Sequence, residues 1–289
     1  MKDFLQQITE RISEMPRVSD TPYKLLRATA NEKYQINDVV SIVESDVSLT
    51  SQCLQMVNSA AFGISKQISS IQRAVILLGS STITKIAMGL AFKNVFTSPM
   101  DGYGADKYDF WEHSMRTALA ARIIAKELKL SVPEDLAYTA GLLHDIGKAI
   151  ISEYLGKYEG NISAKFDEIP GEDFLAIETD ILGTDHTLVG EAMAKKWQFP
   201  EALIQVIRYH HHPCLEKGME CDLVATIHIA DIMAMLGGKG TGVDTLAYSI
   251  DPNISKKYNM DRNFILKLMF EVDMDFINTK NKYNIFAGD

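Results

Sequence analysis

Apolar residues along this chain recur at intervals of three and four, while the strict alternation of a half-buried strand is scarce. In "VSLTSQCLQMVNSAAF" the residues Leu49, Cys53, Met56 and Ala60 share one helical face, and Asp46 stands just ahead as an N-cap. "IQRAVILLG" follows the same scheme, with Ser69 or Ser70 as the cap and Gly79 as the stop. The spacing predicts helices over 2–14, 21–31, 37–44, 47–60, 69–79 and 81–97. Segment 97–106, "TSPMDGYGAD", mixes proline, glycine and aspartate and reads as a boundary between parts 1–100 and 101–289. Beyond it, helices are predicted over 107–130, 134–155, 171–182, 186–198, 200–211, 221–236 and 261–279. Pro133 and Pro200 sit near first-turn positions, and Asp185 precedes the fourth of these helices as a cap. The expected fold is all-α: a multi-helix bundle packed with an N-terminal helical part.

Composition narrows the class. The chain has 289 residues, 46% hydrophobic and 23% charged, which suits a folded protein with a sizeable core. No apolar run reaches the length of a membrane span. The opening "MKDFLQQITERISEM" lacks a signal-peptide core, so no membrane partner is expected. Cys53, Cys214 and Cys221 form no CxxC pair and leave an odd count. That argues against a disulfide framework and points to a reducing, cytoplasmic location. Cys214 and Cys221 are also too loosely spaced for a zinc knuckle.

Net charge is −9, which speaks against nucleic acid as the main partner. Residues 1–100 are nearly balanced, so the acidity lies in the remainder. All seven histidines fall there too, between His113 and His228. The helix–Gly–helix outline of 74–93 offers only Lys85 and Lys93 as cations and reads as core rather than as a DNA-recognition unit.

Those histidines and acids form a pattern. His113 lies early in one long helix, and His144-Asp145 late in the next. The connection between them is short, so the two helices should pair as an antiparallel hairpin that brings His113 level with His144-Asp145. Asp145 sits in "AGLLHDIGKAI" and Asp231 in "IHIADIMAM", both otherwise apolar. Buried aspartates need a partner or a metal. Imidazole and carboxylate together suit zinc, iron, manganese or nickel. A carboxylate placed between two ions could bridge them, as in enzymes that hydrolyse phosphate esters. Lys148 falls one turn after His144, where its ammonium could meet a phosphate oxygen. His186 begins a helix, and His210-His211-His212 ends another. His228 reads as a core or supporting histidine, and Asp109 as a solvated residue at a helix start.

The ordered series His113, His144-Asp145 and Asp231 resembles the H…HD…D signature of the HD phosphohydrolase superfamily. The wider set of stretches resembles its HDOD branch: "DVSLTSQCLQMVNSAAFG", "ISSIQRAVILLG", "FWEHSMRTALAARIIA", "AGLLHDIGKAII" and "ILGTDHTLVGEAMAKKWQFPEALIQVIRYHHHP". The likeness runs from about Met15 to Pro213, with the Asp231 helix beyond. It implies a bacterial signalling or regulatory module carrying one or two divalent ions, with a protein partner or a nucleotide ligand. His186, His210 and His211 also match the additional ligands of the related HD-GYP phosphodiesterases, with His212 left as a surface residue. No Gly-Tyr-Pro follows the histidines, which weighs against cyclic di-GMP as a substrate. The competing expectation is an active metal-dependent phosphohydrolase acting on a nucleotide or another phosphodiester. In it Asp145 and Lys148 would be catalytic, and His113, His144, Asp145, His186, His210, His211 and Asp231 would hold the metal.

Overall fold

The computed structural model describes residues 4–15, 19–29, 34–59, 62–64, 67–96, 100–106, 108–158, 162, 174–214, 218–238, 242, 244 and 248–283. Within them the chain is all-α. The extended pairing found is an isolated bridge between Met100 and Ala105. The first residues of the helix expected over 171–182 lie outside the described residues.

Contacts divide the chain into two units. One comprises residues 18–93 and 277–289, the other residues 1–17 and 94–276. The division falls close to the expected boundary, but the N-terminal helix groups with the histidine-bearing unit instead of with the helices that follow it. Helix α1 (Phe4–Glu14) packs on helices of that unit, where Lys196 Nζ donates to the Ile12 carbonyl at 2.7 Å.

The smaller unit contains α2 (Thr21–Thr29), α3 (Ile36–Glu44), α4 (Val47–Val57), α5 (Ile71–Leu78) and most of α6 (Ser80–Phe96). Its core gathers Leu25, Val39, Val43, Leu49, Cys53, Val57, Val75 and Ile83, one stripe from each helix. The caps follow the sequence. Asp46 accepts from the Leu49 N–H, and Ser70 accepts from the Arg73 N–H. Asn58 clasps the chain after α4 by donating to the Ile68 carbonyl and accepting from the Ile68 N–H.

The larger unit is built around α7 (Asp109–Glu127) and α8 (Glu134–Leu143), which pack together along their length, with α13 (Met219–Leu236) laid against both. These helices bury nearly every face, as their apolar composition requires. Between α8 and α13 come α9 (Lys148–Leu155), α10 (Phe174–Leu182), α11 (His186–Lys196) and α12 (Glu201–Tyr209). After α13 come the short α14 (Pro252–Lys257), which the apolar spacing had not predicted, and α15 (Arg262–Tyr283). Arg116 on α7 forms ion pairs with Glu112 and with Asp273 of α15.

The structure revises two expectations. The helix foreseen over 134–155 breaks after Leu143 and restarts at Lys148. The intervening N–H groups bond three residues back, Ile146 to Leu143 and Lys148 to Asp145, so the chain turns tightly at His144-Asp145. Cys214 and Cys221 are joined in a disulfide, contrary to the reading of the cysteine count. The odd residue is Cys53, buried in the smaller unit. Chain reversal between α12 and α13 brings the pair to a Cα separation of 5.6 Å, within bonding range. The reducing compartment was inferred from the cysteines and loses that support. Among the described residues no single helix is long and apolar enough to cross a membrane; α5 and α6 qualify only as a pair bent by 104°.

Candidate metal centre

The break between α8 and α9 shapes the centre. It turns the His144 and Asp145 side chains inward, to where α7, α11, α13 and the end of α12 contribute theirs. Gly147 makes this possible. A Cβ there would lie 2.0 Å from the His186 carbonyl oxygen, so only glycine lets the start of α11 approach the turn.

Two groups of donors result. His113, His144, Asp145 and Asp231 form one, and Asp145, His186, His210 and His211 the other. All are buried except His211, which is partly covered. In the first group His113 Nε2 stands 3.1 Å from Asp231 Oδ1, 3.4 Å from His144 Nε2 and 3.5 Å from Asp145 Oδ2. In the second, Asp145 Oδ1 is 3.3 Å from His186 Nε2 and 3.4 Å from His210 Nε2. His186 Nε2 and His211 Nε2 face each other at 3.2 Å. Asp145 therefore belongs to both groups, with one oxygen turned to each.

The far side of three of the imidazoles, those of His144, His186 and His210, explains why their Nε2 atoms point inward. His144 Nδ1 donates to the Gly141 carbonyl at 2.8 Å, and His210 Nδ1 to the carbonyls of Val206 and Ile207 at 3.2 Å. His186 Nδ1 meets both oxygens of Glu178, at 2.8 and 3.0 Å. With Nδ1 carrying the proton, each Nε2 offers a lone pair to the interior, the tautomer a metal requires. Glu178 also accepts from the His186 backbone N–H and from the Tyr103 hydroxyl.

These donors fit a divalent ion. Bonds of about 2.1 Å to nitrogen or oxygen place neighbouring ligands about 3.0–3.4 Å apart, close to the separations of 3.1 to 3.5 Å found here. Asp145 Oδ1, Asp231 Oδ1 and His210 Nε2 are buried without an aligned hydrogen bond, an arrangement that is costly unless a cation accepts the lone pairs. The mixture of imidazole and carboxylate suits a transition metal.

Electrostatics act differently on the individual imidazoles. Burial disfavours charge on His144, but the carboxylates of Asp145 and Asp231 outweigh it and lift its pKa to about 10. His113 is raised against burial by the nearness of the same two carboxylates. Burial dominates at His210, lowering it to about 4, and at His211, where the neighbouring imidazoles add to the effect. Asp145 is held well below the carboxylate range despite burial, by the charges of His144 and Lys148.

Lys148 is buried, with Nζ 2.8 Å from Asp145 Oδ2 and 2.6 Å from Asp244 Oδ2. Asp109 accepts from the Asp106 N–H and enters neither group. His212 is exposed. His228 stands behind the centre: its Nδ1 donates to the His210 carbonyl at 2.8 Å, and its Nε2 accepts from the Asp251 N–H at 3.1 Å. Sequence reasoning missed Glu178, Tyr103, Asp244 and Tyr248. Glu178 carried the same signal as Asp145, a carboxylate in an apolar helix ("FLAIETDIL"); the others carried none.

Comparison with known proteins agrees with this architecture. The model of the HDOD domain matches residues 15–213. An uncharacterized protein of Treponema pallidum (strain Nichols) is 27% identical over 208 residues, covering 71% of this chain and 39% of that protein. The chain spans well under half the length of the curated relatives it matches. Among solved structures, an HDOD domain protein from Geobacter sulfurreducens superposes with a TM-score of 0.70 at 23% identity, covering 98% of this chain and 97% of that one. A protein from Marinobacter aquaeolei VT8, provisionally assigned to signal transduction, gives a TM-score of 0.75 at 21% identity, covering 99% and 65%. With more than half its length matched by the family model, the chain belongs to the HDOD domain family.

Proposed function

We propose that the protein is a bacterial HDOD-type signalling module built on a dinuclear metal centre that Asp145 bridges. The observation that carries this reading is the division of the Asp145 carboxylate, with Oδ2 turned to His113 and His144 and Oδ1 to His186 and His210. One ion is assigned to His113, His144, Asp145 and Asp231, the other to Asp145, His186, His210 and His211. Iron, manganese, zinc and nickel all suit the donor set. Family membership and a fold shared with the Marinobacter protein support a signalling role, with a protein partner or a nucleotide as the input.

Lys148 favours a second reading, a metal-dependent phosphohydrolase acting on a nucleotide or phosphodiester. When bound, paired divalent ions polarise a phosphoryl oxygen and make water nucleophilic at neutral pH. The chain's own contribution is a buried ammonium 2.8 Å from the shared carboxylate, placed to bind a phosphoryl oxygen as charge develops. Glu178 keeps the His186 ring in one orientation, and the apolar walls of α7, α8 and α13 exclude bulk water. The absence of a Gly-Tyr-Pro element after the histidines makes cyclic di-GMP a poor candidate.

One preparation tests both readings. Elemental analysis measures the metal, and turnover of bis-p-nitrophenyl phosphate and a nucleotide panel measures hydrolysis. Two equivalents of metal without turnover support the signalling module alone. Turnover that His144→Ala abolishes while the helical signal persists establishes the hydrolase. A chain that takes up no metal contradicts both.

A further inference from the structure

Helix α15 carries apolar side chains on two opposite faces. One face is spent on α7. The rings of Trp111 and Phe276 meet with centroids 5.8 Å apart, the Arg116 guanidinium lies 4.2 Å from the centre of the Phe276 ring, and Lys267 Nζ reaches Glu127 Oε2 at 2.6 Å. Numbering runs in opposite directions across these contacts, so α15 lies antiparallel along α7. Leu268, Val272 and Phe276 form its buried stripe.

The second face stands in solvent. Leu266 is 54% exposed, Phe270 67% and Met274 46%, and their spacing of four puts them in one row. Single exposed apolar side chains are ordinary, but a row of three large ones marks a contact surface.

Two properties of the row point to its occupant. It is symmetric about Phe270, with Leu266 four residues before and Met274 four after. Two copies laid antiparallel on an axis at Phe270 set Leu266 of each against Met274 of the other, the self-complementarity that a twofold interface requires. Along one flank of the row stand Lys267 and Glu271, 3.7 Å apart within the chain. In the antiparallel pair each Lys267 falls about 3 Å along the axis from Glu271 of the second copy, so this flank also complements itself. On the other flank the charge of Asp273 is met by Arg116 of its own chain. Arg262 and Lys267 are balanced by Glu271 and Asp273, so the border lacks the basic excess that an anionic lipid surface selects.

We infer that Leu266, Phe270 and Met274 form the contact surface for a second copy of this chain, two α15 helices packing antiparallel about a twofold axis at Phe270. The surface shares no residue with the metal centre, so the inference stands or falls independently of it.

Sedimentation equilibrium on the full chain, over a series of concentrations, reads the association. A monomer–dimer equilibrium is expected. Phe270→Glu should raise its dissociation constant about tenfold or more, because two carboxylates then meet at the axis. A chain that is monomeric at every concentration overturns the inference, whether another protein covers the row or nothing does. A dimer that Phe270→Glu leaves equally tight overturns it as well. Phe270 is exposed, so this variant should keep the parent's helical signal and melting temperature. Two charge variants check the geometry. Lys267→Glu and Glu271→Lys should each weaken self-association, and mixing them should restore a heterodimer, because each crossing then joins unlike charges. A mixture no tighter than its components overturns the antiparallel arrangement. If Lys267→Glu does not fold, weakening by Glu271→Lys carries the charge test, and an unweakened Glu271→Lys dimer counts against it.

Discussion

Glu178 Oε2 accepts from the His186 backbone N–H at 2.7 Å and meets the Nδ1 of the same ring at 2.8 Å. One carboxylate thus fixes where α11 begins and which way its first imidazole faces. Burial works against charge on His186, and the Glu178 carboxylate overcomes it. Glu178→Gln removes the charge and one acceptor oxygen. It is expected to weaken the ion proposed at His186, His210 and His211 by about 10- to 100-fold. Stepwise metal titration followed by cobalt absorbance checks this: the step belonging to His113, His144 and Asp231 should stay in place.

The shared carboxylate makes a second, sharper distinction. Asp145→Asn should weaken both ions, because one group loses its oxygen ligand and the other keeps only a neutral amide oxygen. His211→Ala should weaken only one, since His211 stands in the second group alone. Elemental analysis after dialysis is expected to find about one ion retained in His211→Ala and fewer in Asp145→Asn. Equal losses in the two variants would contradict the division.

Lys148 and Asp244 are both buried and paired at 2.6 Å, so removing the ammonium leaves a buried carboxylate less well compensated. Lys148→Met removes the buried ammonium that faces Asp244 and is expected to cost about 3–5 kcal/mol in urea unfolding. The double variant Lys148→Met/Asp244→Asn should recover most of that loss, because a neutral pair has no buried charge to solvate. Additive losses would mean that the two residues do not interact.

In the smaller unit, Asp46 accepts from the Leu49 N–H at 3.0 Å and from the Thr21 hydroxyl at 2.8 Å. Partial burial opposes the carboxylate, but these bonds prevail and hold its pKa below the usual value. A depressed folded pKa contributes stability above the unfolded value of about 3.9, and this is lost as pH falls through the lowered folded value. Asp46→Ala should cost about 1 kcal/mol at neutral pH. The difference from the parent should shrink when both are melted below the folded pKa.

The cysteines permit a simple count. With Cys214 and Cys221 joined and Cys53 buried, denaturation without reductant should expose one reactive thiol, and reduction should raise the count to three. Three thiols before reduction would contradict the bridge.

Helical periodicity carried most of the fold, because helices bury a stripe whose spacing is local. Asp46, Ser70 and Asp185 cap the helices they precede. The break at His144-Asp145 was hidden, because apolar residues continue at helical spacing on either side and the interruption depends on Gly147 meeting α11. The meeting of His113 with His144 followed from a short hairpin connection. The meeting of Asp244 with Lys148 joins residues 96 apart in sequence and left no trace in any local pattern. The disulfide escaped for a related reason: an odd cysteine count says nothing about which two the fold brings together.

Bridging by Asp145 is the central claim, and anomalous diffraction from a crystal of the manganese-loaded chain tests it most directly. Two peaks are predicted, one on each side of the Asp145 carboxylate and about 3.5–4 Å apart, the first beside His113 and the second beside His211. A single peak, or two peaks that do not share Asp145, would contradict it.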